Sequence, residues 1–197
     1  TTRRGVQYSE LDTLISRSEV EGIIGQVADE VVRSTPCDAT SVTFVLVMNG
    51  ALFFGADLAR FVERTLPTRI ESIRARSYDG MTPGQVELSQ LPEPSALEGR
   101  HVWIVDDIYD TGKTLERVHR TLEQFRPASL KSAVLLSKRG CKKPDVAIEP
   151  TVIGRAIDDL FVVGYGLDFN GMYRGLRQIS VFRPGQEPTG DSAPAQP

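Results

Sequence analysis

Residues 101–114 read HVWIVDDIYDTGKT, and the organisation of the whole chain turns on them. The apolar run Val102 to Val105 has the character of a buried strand. It stops at two carboxylates, Asp106 and Asp107, followed by a third, Asp110, and a small polar turn that opens a helix. In open α/β sheets, ligands bind at the carboxyl ends of strands. The free N–H groups of Thr111, Gly112, Lys113 and Thr114 at a helix start favour an anion, with phosphate the natural candidate. Carboxylates beside a phosphate repel it unless something positive intervenes, so the stretch implies a magnesium ion or a cationic transition state.

Spacing excludes two better-known phosphate motifs. A Walker A loop needs glycine five places before Gly112, and Asp107 stands there. An Asp-x-Asp phosphatase nucleophile fails because Ile108 occupies the second aspartate's place. A receiver domain would begin at this strand and leave the first hundred residues unexplained.

The 197 residues suit one domain with a sizeable core, and a net charge of -3 gives no support to a nucleic-acid binder. Cys37 and Cys141 lack metal-ligand spacing and read as free thiols of a reducing compartment. No signal peptide or membrane-spanning run is visible and the start lacks methionine, so the chain reads as a cytoplasmic protein with a trimmed start.

Outward from the central stretch, residues 1–8 read as a lead-in and residues 18–33 as an amphipathic helix with Ser18 and Glu21 as its capping box. The β-branched run 42–47 predicts a buried strand, and Met48-Asn49-Gly50 a tight turn into a helix through Phe54, Leu58, Phe61 and Val62. A strand over 69–77, with Ile70 and Ile73 as its apolar positions, precedes a loop over 78–85 and a returning strand at 86–88. This hairpin reads as a candidate lid, or as an ordinary surface hairpin. After the helix carrying Leu115, Val118, Leu122 and Phe125, strands are predicted over 132–136, 151–156, 161–164 and 178–182. The tail, rich in Pro, Gly, Gln and Ser, has little to bury and reads as disordered over 183–197. Strands alternating with helices predict a parallel-cored α/β sheet.

An apolar strand, two acidic residues, two variable ones and then Asp-Thr-Gly-Lys-Thr resembles the phosphoribosyl diphosphate (PRPP) signature of the type I phosphoribosyltransferases. Three further stretches resemble its hypoxanthine-guanine branch: LLSKR at 135–139, FVVGYGLDFN at 161–170, and Tyr173-Arg174. The resemblance covers residues 18–182 and implies the family's fold, a mainly parallel sheet flanked by helices with a small hood built from both ends of a single domain, 1–182. It also implies a magnesium-dependent transfer of phosphoribose from PRPP to a 6-oxopurine, giving IMP or GMP and diphosphate, by a homodimer or homotetramer.

By position, the resemblance assigns Asp106 and Asp107 to the ribose hydroxyls and their magnesium, and Asp110 to general acid/base work at the purine. Thr111, Gly112, Lys113 and Thr114 fall to the 5′-phosphate. Asn49 and Gly50 match the diphosphate loop, where many members carry lysine at the Asn49 place, and a strained or cis peptide is implied at Met48-Asn49. Arg174 matches a diphosphate contact, Asp168 a second magnesium contact on the purine side, and Ser77 with Tyr78 the closing loop. Lys138 matches the donor to the purine's exocyclic oxygen, Phe161 the stacking ring, and Val162 the backbone contact to the base edge. Several have a plainer alternative: a solvated acidic turn for Asp106 and Asp107, a helix N-cap for Asp110, solvated lysines for Lys113 and Lys138, core strand residues for Phe161 and Val162. Two rival functions remain open, a PRPP-sensing regulator that binds nucleic acid and an enzyme of this fold acting on another base.

Overall fold

The computed structural model describes residues 11–78 and 85–183. The lead-in, the tip of the hairpin at 79–84 and the tail from 184 lie outside the described residues.

A six-stranded sheet forms the centre. Its strands are β2 (Val42–Met48), β3 (Thr68–Tyr78), β4 (Gln85–Ser89), β5 (His101–Tyr109), β6 (Ser129–Lys138) and β7 (Val152–Ile157), in the order β4-β3-β2-β5-β6-β7. All neighbours are parallel except β3 and β4, the hairpin at one edge. The apolar runs at 42–47 and 102–105 are buried on both faces, because helices cover both sides of the sheet. Phe44, Leu46, Trp103 and Val105 pack towards α1 (Arg17–Ser34) and α2 (Leu52–Val62), while Val45, Val47, Val102 and Ile104 pack towards α3 (Lys113–Glu123). Alternate residues of each strand thus serve different cores, as a side-chain period of two requires.

A second sheet, of three antiparallel strands, draws on both ends of the described chain: β1 (Asp12–Ile15), β9 (Ile179–Val181) and β8 (Val162–Val163), in the order β1-β9-β8. Sequence periodicity misses β1, since only Ile15 of its four residues is buried and the strand owes its form to pairing with β9.

Three local expectations are corrected. The cap of helix α1 lies two residues earlier than expected, at Ser16 with Glu19 rather than at Ser18 with Glu21. Glu19 receives the Ser16 backbone N–H at 2.9 Å and also meets Arg155 at 3.1 Å, whereas Glu21 is taken by Arg17 at 2.8 Å. These contacts hold the Glu19 carboxyl down at about 2. Ile70 is not an inward position of β3: it is 52% exposed, while Ile73 is fully buried. The last strands are also shorter than the predicted runs at 161–164 and 178–182, with Phe161 and Gly164 outside β8 and Phe182 outside β9.

Candidate active site

The parallel strands β2 and β5 are neighbours, so their carboxyl ends bring the Met48-Asn49-Gly50 turn beside Asp106 and Asp107. A cleft of about 420 Å³ opens there, lined by Met48, Asn49, Gly50, residues 106–112, Thr114, Asp168 and Arg174. The Met48–Asn49 peptide bond is cis. Asn49 itself is exposed, whereas Gly50 lies so close to Asp107 that a β-carbon would overlap its carboxylate.

Asp106 is 6% exposed, and its Oδ1 accepts the backbone N–H of Asp107 at 3.0 Å. Burial and the neighbouring Asp107 charge push the Asp106 carboxyl well above the usual carboxylate range. Burial also raises Asp107, with hydrogen bonds from Asp106 and the Ile108 backbone and the Arg174 charge pulling the other way. Two enclosed carboxylates with so little cationic compensation from the protein form a site short of positive charge.

The turn after β5 ends in Gly112, whose φ of 82° puts it in the left-handed region and makes it the N-cap of α3. No side chain caps this helix, so its leading N–H groups face the cleft without a protein acceptor supplied by the cap. Asp110 is therefore not the N-cap. The turn is braced from behind: a β-carbon on Gly112 would come within 2.7 Å of the Tyr109 hydroxyl, which itself donates to the Ile148 carbonyl at 2.8 Å. The Lys143 N–H holds the Thr111 carbonyl at 3.0 Å. Tyr109 and Lys143 are supports that motif reading does not find, because Tyr109 fills a variable place of the signature and Lys143 lies outside it.

Arg174 and Asp168 form an ion pair at 2.7 Å on one wall, and the Gly171 N–H donates to the other Asp168 oxygen at 2.7 Å. Arg174 also donates to the Gly166 carbonyl. The three candidate metal ligands are thus unequally placed. Asp106 and Asp107 stand together, while Asp168 lines the same cleft but is occupied by Arg174 and Gly171, and no cluster of three or more acidic, His or Cys ligands occurs among the described residues.

Lys138, at the end of β6, meets Asp110 at 3.2 Å and Asp159 at 3.0 Å. Burial alone would lower its pKa, but the bonds to Asp159 and Asp110 outweigh it and the ammonium is held above its ordinary range. Lys138 is therefore neither a free surface lysine nor remote from the phosphate turn. Phe161 is 52% exposed, with its ring edge-on to Phe169 at 6.0 Å, so it is no core residue; Val162 next to it is buried and pairs with Val181. Ser77 and Tyr78 end β3, opposite Val86 and Gln85, and the loop they lead into lies outside the described residues.

Comparison with known proteins agrees with this geometry. A family model described as a phosphoribosyl transferase domain matches residues 12–170. The chain is 40% identical over 161 residues to the hypoxanthine-guanine phosphoribosyltransferase of Crithidia fasciculata, covering 80% of this chain and 76% of that protein. It is 34% identical over 148 residues to the human protein of that name, covering 71% and 67%. Among solved structures, the hypoxanthine phosphoribosyltransferase of Trypanosoma cruzi in complex with the product IMP superposes with a TM-score of 0.77 at 34% identity, over 92% of this chain and 98% of that one.

Proposed function

The chain belongs to the phosphoribosyl transferase family, and from that premise we propose that it transfers phosphoribose from PRPP to hypoxanthine or guanine, forming IMP or GMP and releasing diphosphate. The observation that carries this reading is the 3.2 Å contact between Asp110 and Lys138, which brings the lysine assigned to the base beside the turn assigned to the 5′-phosphate.

The difficulty of this reaction is a ribose carbon that turns cation-like as diphosphate departs. The site must stabilise positive charge on the sugar and negative charge on the leaving group. Asp106 and Asp107 supply the anionic wall for the sugar and bind its hydroxyls. Their all-oxygen donor set fits magnesium, which prefers one or two carboxylates together with substrate oxygens and water, and the charge deficit of the enclosed pair is what a divalent cation would relieve. Bound there, with Asp168 as a candidate further contact, magnesium would neutralise the departing diphosphate.

The open N–H groups at the start of α3 take the 5′-phosphate, with the Thr111 and Thr114 side chains beside them. Asn49, Gly50 and Arg174 receive the diphosphate; Arg174 is a fixed cation because Asp168 and the Gly166 carbonyl hold it. Asp110 accepts the proton that the purine sheds at N7 as the base attacks the sugar. Phe161 offers its exposed ring to the base, the Val162 backbone meets its edge, and the loop beginning at Ser77 and Tyr78 closes over the sugar to keep water out.

Lys138 selects the base. An ammonium has donors and no acceptor, so it bonds the 6-oxo oxygen of hypoxanthine or guanine and meets only another donor on adenine. The test is to supply purified protein with PRPP, magnesium and each base in turn, and to follow nucleotide and diphosphate. IMP and GMP should form, and adenine should be turned over less efficiently by up to ~10⁴-fold. Comparable use of adenine would overturn the 6-oxopurine assignment.

The proposal extends to a cytoplasmic homodimer or homotetramer. Cys37 and Cys141 are free, as a reducing compartment would keep them, and Leu52 and Phe53 expose apolar surface at the start of α2. No helix among the described residues is long and apolar enough to cross a membrane. Light scattering of the purified protein would settle the assembly.

A further inference from the structure

The carboxyl ends of β5, β6 and β7 lie side by side, with Tyr109 opposite Ser137 and Lys138 opposite Ile157. The residue just beyond β5 is Asp110, and two residues beyond β7 stands Asp159. The central strand therefore ends in a cation and each flanking strand delivers a carboxylate to it, at 3.2 Å and 3.0 Å. The Lys138 side chain is 13% exposed and that of Asp159 69%, so a sheltered cation is held by a carboxylate that faces solvent.

We propose that Asp159 is a positioning residue for base recognition: it anchors the Lys138 ammonium from the side opposite Asp110, leaving the third N–H for the 6-oxo oxygen of the purine. The proposal rests on Lys138 being the base-reading residue.

An ammonium has three donors. Asp159 accepts one at 3.0 Å and Asp110 stands at 3.2 Å as an ion-pair partner, so the two carboxylates together restrict the direction of the remaining N–H. Without Asp159 the long lysine stem would be tethered at one point only, and tethered to the very carboxylate that must receive the purine's proton. Once Asp110 is protonated its hold on the ammonium weakens. Asp159 takes no part in the proton transfer and keeps its grip throughout, so the base stays bonded while Asp110 changes charge. Fixing a flexible side chain in its bound geometry before the ligand arrives is a gain in affinity. The Asp159 carboxyl is held below its ordinary value chiefly by the Lys138 bond, in keeping with a permanently ionised anchor. The other polar group against this cluster is the Cys141 thiol, which burial and the Asp159 charge keep protonated.

The same turn contains an internal control. Asp158 pairs with Arg139 at 2.8 Å, with both side chains largely exposed. The two pairs tie the same strand ends together, and only one of them touches the base-reading lysine.

The experiment compares Asp159→Asn, Asp159→Glu and Asp158→Asn with the parent, varying hypoxanthine and PRPP separately in steady-state assays. Loss of an anchor for ground-state binding raises KM for the base and spares kcat. Asp159→Asn should raise KM for hypoxanthine by ~3- to 10-fold, the modest size reflecting a partly solvated pair, with kcat and the KM for PRPP each within about twofold. Asp159→Glu should recover part of the loss, and Asp158→Asn should match the parent. Parental hypoxanthine KM in Asp159→Asn would overturn the proposal while leaving the enzyme assignment intact. So would an equal rise in both KM values, which marks a merely structural carboxylate. A parent protein that binds no 6-oxopurine would overturn both.

Discussion

The space into which a β-carbon of Gly50 would project is filled by the carboxylate of Asp107. The loop after β2 and the acidic pair of β5 are therefore in contact with no side chain between them. Replacing Gly50 by Ala must push the Asp107 carboxylate aside or lift the loop. Overpacking of this kind costs about 1 to 3 kcal/mol. We expect Gly50→Ala to lower the melting temperature and to weaken PRPP binding at least ~10-fold, the equivalent of 1.4 kcal/mol. Isothermal calorimetry showing parental affinity would mean that the loop does not hold the diphosphate.

The enclosed pair Asp106–Asp107 costs the folded protein stability, since burial disfavours its charged form. The pKa of Asp106 is raised on folding, so the native state holds a proton that the unfolded chain has released, and stability falls as pH rises from the ordinary aspartate range to the native value. Asp106→Asn should accordingly melt above the parent at neutral pH in the absence of ligands, by ~2 to 4 °C if the relief is on the order of 1 kcal/mol. The advantage should shrink as pH is lowered and the parent's own carboxyl protonates. The same variant should lose turnover. A melting temperature below the parent's at neutral pH would count against the charge deficit.

Asp110→Asn keeps the shape of the side chain and removes its basicity. Losing a positioned acid/base costs ~10²- to 10⁴-fold in rate. Because the phosphate turn is braced by Tyr109 and by the Lys143 N–H rather than by Asp110, PRPP binding should survive nearly unchanged. Near-parental kcat for nucleotide formation would remove Asp110 from the chemistry.

Asn49 is exposed at the mouth of the cleft and contributes no charge to it. Asn49→Lys adds a cation beside a polyanion, and the expected gain in diphosphate affinity is on the order of 1 kcal/mol for a partly solvated pair. The gain should fade as salt is raised. Equal or weaker binding at low ionic strength would argue that the loop's backbone alone determines affinity.

The central sheet was legible in sequence because its strands are buried on both faces, so Val42 to Val47 and Val102 to Val105 read as unbroken apolar runs. The signature at 106–114 was legible because local order along the chain is also its geometry: strand, acids, turn, helix. Capping of α1 was ambiguous by nature, since Ser16–Glu19 and Ser18–Glu21 have identical spacing, and Arg155, far along the chain, stabilises the first of them. Asp159 escaped notice for a similar reason. Its partner is 21 residues away, and an aspartate pair before an apolar strand carries no mark of which member will meet a lysine. Phe161 was equivocal because an aromatic beside Val162 and Val163 reads as core, whereas the strand begins one residue later and leaves the ring outside.

Strand β1 pairs with β9, and β9 with β8. Residues 12–15 thus have no strand partner until residues 179–181 are available to hydrogen-bond with them. A ribosome delivers the chain from its amino end, so β2, β5 and the turn before α3 emerge long before β8 and β9 join beside Phe161. The growing protein is able to assemble its six-stranded sheet first and the three-stranded sheet last, and Asp168 and Arg174 reach the cleft only with the later part. Contacts between distant parts of a chain also form slowly. A nascent chain halted near residue 160 should consequently lack the three-stranded sheet and bind PRPP less tightly than the whole chain, which brings Arg174 to the cleft.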